Sequence, residues 1–187
     1  PLALTPPSIE PVTLAQAKTF LRLDLPDEDD LLATLITAAR LMIEAAAGRM
    51  LIEQGWRIVI DRWPDGGELR LPLSPVTEIV AVRVYDAAGL AQTVSPSSLA
   101  LDAQADPPVV RVVGTVPAPG RSHSAVEIDL TAGYGPAAED VPALLRQAVL
   151  RLAARWFELR GDVAGRDAAA LPAEIMALVV PYRRARL

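Results

Sequence analysis

A thirty-residue segment, residues 131–160, constrains the fold more than any other part of the chain. From position 141 to position 157 its apolar side chains recur without a break at intervals of three and four residues. This spacing is typical of a long amphipathic helix, because it places the apolar side chains on one face. Asp140 is the predicted N-cap, Pro142 fits the first turn, and Gly161 is expected to end the helix.

The opposite face of this central helix is not purely polar. Arg146, Arg151 and Arg155 occupy it, but Leu150 and Ala154 lie among these charges. The pattern therefore allows two interpretations, a central core helix or a helix that also packs on another subunit.

Two more helices precede the central one. Thr13 and Gln16 have the spacing of a capping box, which predicts a first helix over residues 14–23. The second helix is predicted over residues 28–47, with acidic side chains at the positive end of its dipole and Gly48 just beyond its last turn.

Helix packing can be predicted from these faces. We expect Trp156 and Phe157 to hold the central helix against the second helix near Ile36 and Ile43. A fourth helix is predicted to begin near residue 171 and to end at Pro181, which cannot continue it.

The segment between the second and central helices has the two-residue alternation of β-strands. Strands are predicted at residues 56–60, 68–71, 76–85, 99–102, 109–113 and 125–131. Short strands separated by Gly- and Pro-rich turns favour a small antiparallel sandwich or open barrel.

The predicted fold class is therefore α+β, a helical bundle of about four helices with a small antiparallel β insertion between helices two and three. Residues 1–50 would hold a proline-rich extended arm and the first two helices, and residues 51–135 the β insertion. Residues 136–187 would supply the central helix, the fourth helix and a basic C-terminal tail.

Composition excludes several classes of function. The 187 residues include no cysteine, so disulfides, thiolate metal sites and cysteine nucleophiles are excluded. The net charge of -5 argues against a general nucleic-acid binder, because phosphate affinity comes mainly from Lys and Arg. No run of eighteen apolar residues is free of charge, so no membrane span is expected.

The sequence also offers few groups for catalysis. His123 is the single histidine and lies in a Pro- and Ser-rich loop, flanked by Ser122 and Ser124 without a carboxylate placed to complete a triad. Gly133 and Gly135 form a lone GxG followed by proline, which is a poor phosphate site. We therefore expect no enzymatic activity, no cofactor and no bound metal.

Seven segments, taken together and in order, resemble the head–tail connector (adaptor) proteins of long-tailed phages and of gene transfer agents. They are EPVTLAQAKTFLRLD, DDLLATLITAARLMIEAAAGR, LIEQGWRIVIDRWP, LRLPLSPVTEIVAVRVYD, VEIDLTAGYG, VPALLRQAVLRLAARWFELRG and PYRR. Each is only a helix or strand pattern, so the specificity lies in the ordered set, which covers nearly the whole chain.

The resemblance implies a ring of about twelve copies in the neck of a virion or gene transfer agent particle, assembled in the bacterial cytoplasm. The ring would dock beneath the portal protein, extend the DNA channel without binding DNA specifically, and meet a neck stopper or tail component. The resemblance implies no membrane partner.

Two groups of residues are predicted to serve this role. A short arm after Pro181 combines an aromatic ring, three guanidinium groups and an apolar end, and would bind the portal: Tyr182, Arg183, Arg184, Arg186 and Leu187. A second group would face the channel or a neighbouring subunit: Asp27, Glu28, Asp29, Asp30, Arg151 and Arg155.

Two other classes stay open at the level of sequence. One is another ring component of the neck or tail, a stopper or tail terminator, although two long helices weigh against it. The other is a small-ligand binding module with the β insertion as its pocket, although no polar groups converge in those strands.

Overall fold

The computed structural model describes residues 1–24, 26–159 and 171–183. The chain divides into two compact units. The β unit comprises Pro1–Ser8 and Glu53–Tyr134, and the helical unit comprises Ile9–Ile52 and Gly135–Leu187. The polypeptide therefore passes from one unit to the other three times.

The described part of the helical unit contains four α-helices. They are α1 (Leu14–Leu21), α2 (Asp29–Ala47), α3 (Ala143–Glu158) and α4 (Ala173–Val179). Helix α3 contacts each of the other three, as expected for the helix with the longest uninterrupted apolar stripe. None of these helices combines the length and apolar character that crossing a membrane requires.

Two helix ends are confirmed as the sequence predicts them. Thr13 Oγ1 accepts a hydrogen bond from the Gln16 amide at 3.1 Å, and Gln16 Oε1 accepts one from the Thr13 amide at 2.9 Å. At the end of α2, Gly48 adopts a left-handed φ of 67°, and its amide donates to the Glu44 carbonyl. Glycine takes this conformation without the Cβ clash that other residues meet.

The predicted N-cap of α3 is wrong. Asp140 belongs to a short 3₁₀ helix, Ala138–Asp140, and its Oδ2 accepts a hydrogen bond from the Ala137 amide at 2.9 Å. The carbonyl of Pro142 instead accepts the first amide bonds of α3. Gly161, the predicted end of this helix, lies outside the described residues.

The core of the helical unit is aliphatic. Ile36 and Ile43 of α2 are buried, as is Phe157 of α3, which is 5% exposed. Trp156 is only half-buried, because its neighbour Phe157 takes the inward position on the helix. Phe157 is therefore the aromatic residue of α3 that is fully inside.

Arg40 and Glu44 of α2 form a charged cluster. The cluster connects Glu10, which precedes α1, to Leu51, which follows α2. Buried Arg40 donates to Glu44 Oε2 at 2.9 Å and, through Nε, to Glu10 Oε2 at 2.8 Å. Glu10 also accepts from Thr37 Oγ1, and Glu44 Oε1 accepts from the Leu51 amide. Because the charges are paired and hydrogen-bonded, their burial is tolerated.

The β unit contains eight strands in two antiparallel sheets. The strands are β1 (Leu2–Thr5), β2 (Gln54–Ile60), β3 (Glu68–Arg70), β4 (Val76–Tyr85), β5 (Ala91–Thr93), β6 (Leu99–Asp102), β7 (Val109–Val112) and β8 (Val126–Ala132). The larger sheet has the order β1-β2-β8-β4-β5, and the smaller sheet has the order β3-β7-β6.

Strand β8 lies at the centre of the larger sheet, between β2 and β4. Ile128 pairs in register with Ile58 of β2 and with Val82 of β4, and all three are buried. Glu127 and Asp129 alternate with this apolar set and point to the other face of the sheet. The sequence thus fixes which face of the sheet is apolar.

Two strands differ from the sequence prediction. Leu2–Thr5, expected to be an extended arm that does not pack, forms an edge strand on β2. The prolines of this region stand at positions 1, 6, 7 and 11, so residues 2–5 keep their amide donors. Ala91–Thr93 was not predicted because three exposed residues are too few to show a period.

Candidate functional site

The acidic residues singled out in the sequence lie together at the N-terminal end of α2. Asp29 Oδ1 accepts a hydrogen bond from Lys18 Nζ at 2.6 Å, which ties α2 to α1. Asp27 and Asp30 are exposed, and neither side chain has a partner among the described residues. Glu28 occupies the N-cap position.

The two arginines assigned to the same role lie on the exposed face of α3. Arg155 Nη1 is 3.5 Å from Glu174 Oε1 of α4, so this pair joins two helices at the surface. Arg151 is exposed and has no ion-pair partner within the described ranges. The acidic residues and these arginines therefore occupy different helices of one unit.

The C-terminal group is only partly described. Val180–Tyr182 forms a short 3₁₀ helix directly after α4, and the Tyr182 carbonyl accepts a hydrogen bond from Arg49 Nε at 3.1 Å. Tyr182 is half-buried and Arg183 is exposed. The other members of the predicted portal-binding group, Arg184, Arg186 and Leu187, lie outside the described residues.

A groove between α1 and α3 was not predicted from the sequence. Its volume is about 590 Å³, and its walls include Ala15, Thr19 and Phe20 from α1 with Arg146 and Leu150 from α3. Phe20 is 49% exposed, which is unusual for so large an apolar side chain. The Nε atom of Arg146 is buried and has no hydrogen-bond partner in the described part of the chain.

The polar face of the larger sheet carries a charged row that the sequence analysis also missed. Arg57 of β2 donates to both carboxylate oxygens of Asp129, at 2.6 Å and 3.0 Å. Arg83 of β4 donates to the same carboxylate at 2.7 Å. The hydrogen bond from Arg57 is the main cause that holds the pKa of Asp129 below its usual range.

The row continues along β8 to Glu127. Tyr85 donates its hydroxyl hydrogen to Glu127 Oε2 at 3.0 Å, and Arg57 Nη1 lies 3.2 Å from the same oxygen. The guanidinium of Arg121 lies 3.8 Å from the centre of the Tyr85 ring, a cation–π contact. Because Asp129 and Glu127 are each paired with arginine or tyrosine side chains of neighbouring strands, the row is suited to holding these strands together.

The single histidine is not part of such a network. Its side chain is 86% exposed, and His123 Nδ1 lies 3.9 Å from Asp61 Oδ2. Asp61 instead accepts a hydrogen bond from the Ser124 amide at 2.7 Å. Within the described ranges, no group of three or more acidic or histidine side chains is placed to hold a metal ion.

The fold and its surfaces define a class of protein. This is an α+β protein with an exposed acidic helix end, exposed arginines and an open apolar groove, all of which are suited to assembly with other chains.

Residues 11–102 match the family model described as Phage gp6-like head-tail connector protein. The chain belongs to this family of phage head–tail connectors. Membership of this family implies a structural role. A comparison with curated proteins finds no match.

Solved structures of gene transfer agent (GTA) particles contain chains of the same fold. A chain in the neck of the empty GTA particle, computed with C6 symmetry, has a TM-score of 0.81 and is 30% identical, with 98% of this chain and 97% of that chain covered. A chain in the virion of the native GTA particle has the same TM-score and coverage at 32% identity. A chain in the native neck, computed with C12 symmetry, has a TM-score of 0.73 and is 31% identical, again covering 98% of this chain and 97% of that chain.

Proposed function

We propose that this head–tail connector forms a ring of twelve copies beneath the portal of a phage-like particle. The ring extends the DNA channel and joins the capsid to the next neck or tail component. The observation that carries the proposal is the similarity, over 98% of the chain, to a chain in a GTA neck computed with C12 symmetry.

In this proposal the helices form one bundle, and strands β2–β8 form an insertion between α2 and α3. The corresponding boundaries are residues 1–50, 51–135 and 136–187. The order of the elements along the chain supports this division, since β2–β8 all lie between α2 and α3.

The portal-binding group is the end of α4 with the residues that follow it. Arg49 holds the Tyr182 carbonyl, so the basic segment that begins at exposed Arg183 starts from a fixed point. Guanidinium groups pair bidentately with carboxylates, and many weak contacts around a ring act together. An acidic surface on the portal is therefore the expected partner.

The test is a triple substitution of Arg183, Arg184 and Arg186 to Glu. The triple variant should have the same unfolding transition as the wild type, because Arg183 is exposed and the reversal of charge leaves Tyr182 in place. Portal-containing heads should no longer capture the variant. The matched control is Arg70→Glu, an exposed arginine of the β unit, which should attach normally. Normal attachment of the triple variant would place the contact elsewhere.

The acidic group belongs to the channel or to a contact between neighbouring subunits. A channel that passes DNA must not retain it, and negative walls repel phosphate. Asp27 and Asp30 are the members best suited to this role, because both are exposed and unpaired in the described chain.

The connector role is favoured over the other two classes. The family match over residues 11–102 is to a connector, which weighs against a stopper or tail terminator. The same family match weighs against a small-ligand binding module.

A further inference from the structure

A closed ring of identical subunits requires two different surfaces on each subunit that fit one another. In such a head-to-tail contact, one surface of a subunit meets the other surface of the next. The inference below rests on the proposed ring. The helical unit carries two surfaces that meet this requirement.

The first surface is the α1/α3 groove. Its walls are mainly apolar, with Phe20 and Leu150 on opposite sides, and Arg146 provides a buried Nε that has no acceptor in the described chain. The guanidinium group of Arg146 in this mainly apolar wall favours a ligand that brings a carboxylate, because hydrogen bonds between guanidinium and carboxylate groups are charge-assisted. The groove therefore fits a segment that combines an apolar side chain with a carboxylate.

The second surface is the acidic turn, defined as residues 26–31. Asp27 and Asp30 are exposed and have no side-chain partner among the described residues. Leu31, the next residue, is 40% exposed although it lies in the first turns of α2. The acidic turn therefore presents the combination of carboxylates and an apolar side chain that the groove fits.

The two surfaces of one subunit cannot meet each other. Lys18 of α1 holds Asp29 at 2.6 Å, so the acidic turn is fixed beside that part of α1. The groove is lined by Ala15, Thr19 and Phe20 of α1, and Thr19 and Phe20 lie about 100° and about 200° around the helix from Lys18. A second copy of the chain is therefore the source of the occupant.

We propose that the acidic turn of one subunit docks into the α1/α3 groove of the next subunit in the ring. Asp27 or Asp30 accepts a hydrogen bond from Arg146, and Leu31 packs against Phe20. The contact removes two exposed apolar side chains from water and brings a carboxylate to the Arg146 guanidinium group. Repeated around the ring, it closes the assembly.

Cross-linking in assembled particles tests the contact directly, because the chain has no cysteine of its own. Leu31→Cys lies on the acidic turn, and Gln147→Cys lies in the groove. Treated with a short bismaleimide, particles that carry the double variant should give a ladder of covalent oligomers up to the full ring. Each single variant should stay monomeric, and a mixture of the two should stop at dimers.

The cross-linking outcomes separate this inference from the proposed function. Necks that contain the double variant but give no ladder would overturn the docking and leave the connector role intact. Dimers from a single variant would also overturn it, because they indicate a two-fold contact between like surfaces. If the wild-type chain is absent from necks, it is the proposed function that fails.

A charge exchange gives a second, independent test. Arg146→Asp and Asp30→Arg should each lower incorporation into necks by about tenfold or more, because like charges then face each other. The double variant that carries both substitutions should restore incorporation into necks. Arg70→Asp, in the β unit, is the matched control and should have no effect. Two single variants that both enter necks at the wild-type level would overturn the proposal.

Discussion

Arg57 on β2 and Asp129 on β8 are joined across neighbouring strands by two side-chain hydrogen bonds, of 2.6 Å and 3.0 Å. Arg83 reaches the same carboxylate from β4 on the other side. A carboxylate that is only 7% exposed thus links the three central strands of the larger sheet. Such charge-assisted, bidentate pairs are among the stronger hydrogen bonds in proteins.

Removing the charge of Asp129 should destabilise the β unit. Asp129→Asn keeps the shape of the side chain but leaves two guanidinium groups beside each other with only Glu127 as a counter-charge. The substitution should cost about 1.5–3 kcal/mol in free energy of unfolding. Asp102→Asn is the matched control, because the Asp102–Arg111 pair is much more exposed and should contribute much less to stability. Urea unfolding measures both. Equal costs would show that burial of the Asp129 pair has no effect.

The same carboxylate predicts the pH dependence of stability. The pKa of Asp129 is held below its usual value of 3.8, mainly by the hydrogen bond from Arg57. A lowered pKa in the folded state gives stability that is present above the unfolded pKa and lost as pH falls through the folded pKa. The wild-type free energy of unfolding should therefore drop below about pH 4, and more steeply than that of Asp129→Asn. Urea titrations at a series of pH values from pH 6 to pH 2.5 measure the free energy of unfolding of both proteins. If it falls equally with pH in both, Asp129 is not the source of the pH dependence.

Truncation of the two aromatic residues of α3 should have unequal effects. Phe157→Ala should cost about 3–5 kcal/mol, because the ring is buried and its removal leaves a cavity. Trp156→Ala should cost only about 1–2 kcal/mol, since this side chain is already partly exposed to solvent. Thermal or urea unfolding of the two variants measures the loss of stability. A larger loss of stability for Trp156→Ala would show that Trp156, and not Phe157, faces the core.

The isolated protein should bind duplex DNA very weakly. Its net charge is -5, and the exposed carboxylates of Asp27 and Asp30 add local repulsion to phosphate. Fluorescence anisotropy with a labelled duplex should show an affinity weaker than the about 10⁻⁴–10⁻⁶ M of ordinary non-specific binders. Tight binding that weakens steeply with salt would contradict a channel that lets DNA pass. Replacing both aspartates with Asn should raise the affinity slightly.

Local signals in the sequence were sufficient to predict the helices. The Thr13–Gln16 capping box and the left-handed Gly48 are formed by residues close together in the chain, and both are confirmed. The end of α4 was placed two residues late, at Pro181, because a short 3₁₀ helix accommodates this proline after the α-helix has ended at Val179. Asp140 does not cap α3, because it belongs to the preceding 3₁₀ helix and its side chain accepts the Ala137 amide.

The interaction surfaces were harder to predict, because they depend on residues far apart in the sequence. Arg57 and Asp129 are separated by 72 positions, and Arg83 and Asp129 by 46. Strand alternation marks each of them only as a polar position and does not identify its partner. The α1/α3 groove likewise depends on how two helices pack, and a lone Phe20 within the pattern of α1 gives no sign of it.

The three passages of the chain between the two units have a mechanical consequence. The passages follow Ser8, Ile52 and Tyr134, so neither unit is a continuous stretch of sequence. A pulling force transmitted from one unit to the other is divided among three covalent segments, where two domains in simple succession would share a single linker. In a particle that is packed with DNA and later emptied, this connectivity lowers the tension in each segment.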